Sequence, residues 1–274
     1  MSWFSAKPGK AAAERFVLIY SPIWMALVGT VMLGGFYRGW SDPMYMGFGL
    51  LAALPLVVVP WLRPCPEERG LEPWQTSWFR MNLWVAILVG FGNYFGSAYF
   101  FDVLGMRYAF PTRWTLDAAL VGRSDATVPL FMYPLTQAYF VSYHAGMLVV
   151  LRRIRRALNL DRLSPGTARW PRQLLLALAT LALAYGVSFA ETLFMASDAI
   201  SDLFWYADKS RMLRWGSLFY ACYFLVSLPL LARLDEPPGP MFSPGRAALE
   251  ALAAGMLVFM ILDALALLLG PLVV

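Results

Sequence analysis

AALEALAAGMLVFMILDALALLLG, Ala247–Gly270, is an almost unbroken apolar run with one carboxyl, Glu250, at its start and another, Asp263, in its interior. At helical rise, about 20 apolar residues cross the hydrocarbon core of a bilayer. In that medium every backbone N–H and C=O must be satisfied internally, so the run reads as a transmembrane helix. Six more runs of the same kind precede it: Phe16–Phe36, Met44–Leu62, Asn82–Leu104, Val128–Leu151, Gln173–Ser197 and Leu213–Ala232. A β-barrel would show segments of about ten alternating residues instead. The expected fold is therefore all-α, one polytopic integral-membrane domain over residues 1–274 with about seven transmembrane helices. The first run has no Ala-x-Ala-like cleavage site after it, which favours a signal anchor over a removed signal peptide.

Composition agrees. The chain is 59% hydrophobic and 14% charged with mean hydropathy +0.58, where a soluble domain carries about a quarter charged residues. Fifteen of the 22 Lys and Arg residues fall on the side of the N-terminus when alternate loops are counted, and seven on the other. The positive-inside rule then places the N-terminus in the cytoplasm and the C-terminus across the membrane. The densest run, Arg152, Arg153, Arg155 and Arg156, directly follows the fourth span, where anionic headgroups would meet it. A pI near 9.3 so points to the bilayer as partner and not to nucleic acid.

Two cysteines and one histidine are too few for structural zinc, which takes about four Cys or His ligands, and haem and iron–sulfur centres need sets of their own. No metal and no cofactor is expected, nor a disulfide between Cys65 and Cys222. The three lysines, Lys7, Lys10 and Lys209, lie outside the spans, which excludes a retinal Schiff base. No phosphate-binding glycine loop, nucleophile elbow or inverted repeat is present.

The remaining chemistry lies in a few polar groups inside the spans, where an ionisable residue is costly and marks a functional candidate. Glu191 follows Tyr185-Gly186-Val187-Ser188-Phe189-Ala190. His144 stands in Tyr139-Phe140-Val141-Ser142-Tyr143-His144, and Asp263 in Met260-Ile261-Leu262-Asp263. Asp102, at the end of the third span, reads as a solvated cap. Aromatic residues make up 16% of the chain and cluster at Tyr94-Phe95, Tyr99-Phe100-Phe101, Phe219-Tyr220 and Tyr223-Phe224. Rings at such spacing share helix faces. Those in span interiors pack a bundle or line a flat pocket whose π faces stabilise a cation.

With these residues in view, the chain resembles the cycloeucalenol cycloisomerases, enzymes of sterol synthesis. The resemblance rests on Asn82-Leu83-Trp84, Gly92-Asn93-Tyr94-Phe95, Tyr99-Phe100-Phe101, Phe110-Pro111, Tyr143-His144, Leu151-Arg152-Arg153 and Glu191-Thr192. It continues in Leu218-Phe219-Tyr220-Ala221, Tyr223-Phe224, Leu234-Asp235-Glu236, Leu262-Asp263 and Leu269-Gly270-Pro271. Two features depart from it. Leu116–Ala126 reads as an insertion, and Leu130 and Gln137 stand where the plant enzymes carry further histidines, which argues against a multi-histidine mechanism.

The resemblance implies opening of a cyclopropane ring in a sterol. A proton goes to the ring methylene, a tertiary cation forms at the ring fusion, and loss of a neighbouring proton leaves a double bond. The reaction is redox-neutral, in keeping with the expected lack of a cofactor. Glu191 and Asp263 are the acid candidates and His144 a relay or base. Asn93, Tyr94, Tyr99, Tyr143, Tyr220 and Tyr223 are the expected substrate contacts, with a sterol and the bilayer as partners and no oligomeric state implied. His144, Glu191, Asn93, Tyr94 and Tyr143 are expected to face one cavity. The alternatives are a lipid or sterol transporter or receptor, and a sterol double-bond isomerase. Abundant Ala, Leu and Arg with little Lys favour a bacterial inner membrane over the endoplasmic reticulum.

Overall fold

The computed structural model describes residues 3–117, 127–160, 170–236 and 239–270. It is helical throughout, apart from one small sheet. In chain order the long helices are α1 (Pro8–Leu33), α2 (Asp42–Leu62), α3 (Ser77–Phe91), α4 (Met132–Ala157), α5 (Trp170–Met195), α6 (Ser217–Arg233) and α7 (Pro244–Leu269). The sheet pairs β1 (Met106–Tyr108) with β2 (Phe204–Tyr206), antiparallel, with Arg107 opposite Trp205. This sheet is absent from the expectation above. It joins the loop after the third rod to the loop after α5, two segments too short and irregular to announce a pairing.

Five helices are long and apolar enough to cross a membrane: Pro8–Leu33, Asp42–Leu62, Trp170–Met195, Lys209–Arg233 and Pro244–Leu268. The chain is a multi-pass membrane protein on that basis. α4 falls short by composition, and the reason is its place. It packs against α1, α2, α3, α5 and α6, with Ala138, Val141, Ala145 and His144 fully buried. A central helix sheltered by others has no need of an apolar girdle. On the perimeter the pattern reverses, and α5 exposes Leu174, Leu175, Leu178 and Leu181 while α7 exposes Leu249, Leu252, Met256 and Met260.

The third rod is α3 prolonged by two π-helical turns, Gly92–Gly96 and Tyr99–Val103, and a third π turn, Met212–Gly216, leads into α6. Such turns insert an extra residue, rotate the side chains that follow, and are frequent at functional sites. Gly92 and Gly96 are required here by close approach: a Cβ on Gly96 would sit 2.4 Å from the Tyr223 hydroxyl and 3.0 Å from the Phe259 ring.

At the end of the bundle where the N-terminal residues, Arg152 and the α6–α7 loop meet, charges are buried in pairs. Arg80 forms an ion pair with Asp235 at 2.8 Å, both side chains almost fully enclosed. Arg152 binds Glu14 at 2.7 Å and Glu236 at 3.1 Å, and Lys10 binds Glu236 at 2.9 Å. Asp235 adopts a left-handed backbone (φ 52), which Asp tolerates, and its carboxylate also accepts from the Phe242 amide. Burial works against the Glu236 charge, yet Lys10 and Arg152 prevail and hold its carboxyl below the usual glutamate range. Arg152 thus turns inward to carboxylates, a correction to its expected place among headgroups.

Candidate active site

α5 carries Glu191 at its inner face, one turn from the buried Ser188 and beside the buried Thr192. Its carboxyl accepts a hydrogen bond from the Tyr220 hydroxyl on α6 at 2.7 Å, and the Tyr143 phenol from α4 lies beside it. Glu191 and Tyr220 line a cavity of about 810 Å³, counted with its mouth and the open space before it.

The cavity lies between the π-helical part of the third rod, α4, α5, α6 and the β1–β2 pair. Asn93, Ser97 and Phe100 reach it from the π turns, Tyr139 and Phe140 from α4, and Tyr220 and Tyr223 from α6, while Tyr108, Phe204 and Tyr206 cover it from the sheet. Rings meet at edges and tilts around it: Phe100 to Tyr220 at 5.6 Å, Phe140 to Tyr223 at 6.2 Å, Tyr108 to Phe204 at 5.4 Å. Burial first, and then the Glu191 carboxylate, push the Tyr108 and Tyr206 phenols above their ordinary value, so both stay protonated. Among the described residues that line it, Glu191 is the one carboxyl, and no Lys, Arg or His joins it. Two polar atoms on the wall, Asn93 Nδ2 and the Tyr223 hydroxyl, are buried without a hydrogen-bond partner. Buried donors are rarely left so, and both belong to side chains that line the cavity.

Compared with curated proteins, the chain is 35% identical over 272 residues to cycloeucalenol cycloisomerase of Arabidopsis thaliana, spanning 99% of this chain and 90% of the plant protein. The chain belongs to the cycloeucalenol cycloisomerase family. No family model and no solved structure matches it. At that coverage the likeness to the cycloisomerase extends over every element that builds the cavity.

Against the family-based expectation, the cavity unites Glu191, Asn93, Tyr220 and Tyr223. Tyr143 joins them through the Glu191 carboxyl and not by lining the void. His144 does not face it. Fully buried behind Phe140, its Nδ1 lies 2.7 Å from the Phe140 carbonyl and its Nε2 2.6 Å from Ser227 Oγ. A carbonyl can only accept, so Nδ1 carries the proton and Nε2 accepts from the serine. With both nitrogens engaged and Trp84, Phe140 and Phe224 around the ring, the geometry is that of a satisfied core histidine.

Asp263 is also elsewhere. It lies on the exposed side of α7 and accepts a short hydrogen bond from Tyr99, so the expected contribution of the last helix to the shared cavity is not what the structure shows. Tyr94 packs edge-on against Phe95 at 4.8 Å, and neither it nor Tyr99 lines the cavity. The π turns explain these misses, since ordinary helical spacing mis-assigns faces after an inserted residue. Residues 118–126, most of the expected insertion, and Pro271 lie outside the described residues. The sequence reading missed Tyr139, Phe140, Tyr108 and Tyr206. A signal existed for the first two, one helical turn before Tyr143 and His144, but the other two sit in loops with no periodicity to follow.

Proposed function

We propose that the cavity binds a cyclopropyl sterol and opens its three-membered ring, as the name of the plant relative indicates for that protein. The observation that carries this reading is Glu191, a lone carboxyl oriented by two phenols on an aromatic cavity without a counter-cation. An unpaired buried carboxylate is strongly disfavoured, so the neutral acid is the form such a wall accommodates.

The Glu191 carboxyl gives its proton to the ring methylene. The electron pair of the breaking ring bond forms the new C–H bond, the methylene becomes a methyl group, and positive charge appears at the ring-fusion carbon. Phe100, Phe140, Tyr220 and Tyr223 line the cavity, and it is the π faces of such rings that stabilise that charge. A neighbouring C–H bond then supplies the pair for the double bond, and its proton returns to the Glu191 carboxylate. Tyr220 and Tyr143 hold the carboxyl through both transfers, which is the positioning role of groups around an acid–base residue. Asn93 and Tyr223 take the sterol hydroxyl.

In the same reading the chain crosses the membrane seven times, with α4 and the prolonged third rod as inner spans and the Arg152 end in the cytoplasm. The charge distribution supports this orientation. The test is incubation of membranes containing the protein with a cyclopropyl sterol in deuterated water. Ring-opened product with deuterium in the new methyl group is expected. Sterol retained unchanged by the purified protein would make it a binding or transport protein.

A further inference from the structure

A second, tighter and almost wholly apolar space lies beside the first, between α1, α2, α4 and the end of α5. Met132, Tyr139 and Met195 line both, so these three side chains are the partition. The two spaces differ in chemistry. The first is bordered by a carboxyl and by two side chains, Asn93 and Tyr223, whose buried polar atoms lack a hydrogen-bond partner. The second is walled by Val28, Val31, Trp40, Phe48, Phe131 and Leu135 among others, and the phenols at its edge are engaged elsewhere: Tyr37 donates to Asp202 at 2.8 Å and Tyr45 to the Tyr37 carbonyl at 3.2 Å.

We infer that the second cavity is the subsite for the aliphatic side chain of the substrate, entered between Met132 and Met195. This rests on the sterol reading of the first cavity and fixes the direction in which the molecule lies. A sterol has its hydroxyl at one end, its fused rings in the middle and a branched alkyl tail at the other. The unpaired Asn93 and Tyr223 donors suit the hydroxyl, Glu191 the rings, and a dry wall without free polar groups suits the tail. Two unbranched methionines make a partition that can yield without leaving a polar group bare. An apolar space that opens beside a polar one suits a molecule with both characters.

The test uses the full-length protein in membranes and a cyclopropyl sterol with a photoreactive diazirine at the end of its side chain. Adducts are expected on the second cavity's α1 and α2 residues, Val31 and Phe48 among them. Adducts around Asn93, or on the lipid-facing leucines of α7, overturn the subsite. Val31→Phe fills the space, and a pocket that rejects even one methylene discriminates by about tenfold or more. The ratio of kcat/KM for tail-bearing over tail-less sterol should fall by at least that factor, and an unchanged ratio overturns the inference. The two readings fail separately. Labelling in the second cavity without ring-opened product sinks the isomerase reading alone, and ring-opened product with labelling elsewhere sinks the subsite alone.

Discussion

Tyr220 on α6 donates its hydroxyl to the Glu191 carboxyl on α5 at 2.7 Å. The bond ties the proposed acid to a neighbouring helix, so the direction of the Glu191 carboxyl is set by helix packing as well as by its own rotamer. Glu191→Gln keeps shape and polarity but holds no transferable proton, and turnover should drop by about two orders of magnitude or more. Tyr220→Phe removes one orienting hydrogen bond and should lower kcat by about tenfold. Sterol product formation in matched membrane preparations measures both. Normal turnover by a well-expressed Glu191→Gln variant would exclude the glutamate as acid.

Asn93 Nδ2 and the Tyr223 hydroxyl have no partner in the protein. If they bind the sterol hydroxyl equally in ground and transition states, Asn93→Ala and Tyr223→Phe should raise KM by about tenfold and leave kcat alone. A sterol analogue lacking the hydroxyl should not distinguish the variants from the parent. An effect on kcat of the same size as the effect on KM would move these residues into the chemical step.

His144 is buried with both ring nitrogens engaged. Its replacement by Ala leaves a void and strips Ser227 and the Phe140 carbonyl of a partner, a loss of about 2–4 kcal/mol. Thermal unfolding in detergent should register that loss, while turnover per folded molecule stays within a few-fold. A variant as stable as the parent yet inert would restore His144 to the chemistry.

The ion pairs at the Arg152 end predict acid sensitivity of definite sign. The Glu236 carboxyl is held below the usual glutamate range by Lys10 and Arg152 against the opposing effect of burial. Its contribution is complete above the unfolded value of about 4.3 and disappears as pH falls through the lowered native value. Unfolding temperature measured against pH should therefore decline below about pH 4.3, and less steeply in Glu236→Gln. Arg80→Ala takes from the buried Asp235 its close partner and leaves Lys7 at 3.7 Å, and breaking a buried pair on one side costs about 3–5 kcal/mol. A shift of less than a degree or two in that variant would show that Lys7 or water compensates Asp235.

Topology is tested independently of activity. A reporter fused after Leu151 should read cytoplasmic and one at Val274 should read from the opposite side. Both fusions reporting the cytoplasm would put an even number of spans between them and sink the seven-span reading.

The sequence by itself determined the membrane class, the positions of the apolar rods and Glu191 as a carboxyl in need of a purpose, because the cost of polarity in hydrocarbon is written locally, residue by residue. It also carried the resemblance, in order, from Asn82 to Gly270. What it did not determine is facing. His144 and Asp263 looked as eligible as Glu191, since each is one ionisable group within an apolar run. Only the packing of α4 at the centre buried His144 against Ser227, and only the π turns sent Tyr99 outward to Asp263 while turning Asn93 and Phe100 inward. An inserted residue rotates everything after it, and nothing in a sequence period announces it. Arg152 likewise read as a partner of headgroups until tertiary structure brought it to Glu14, 138 positions away, in one ion pair.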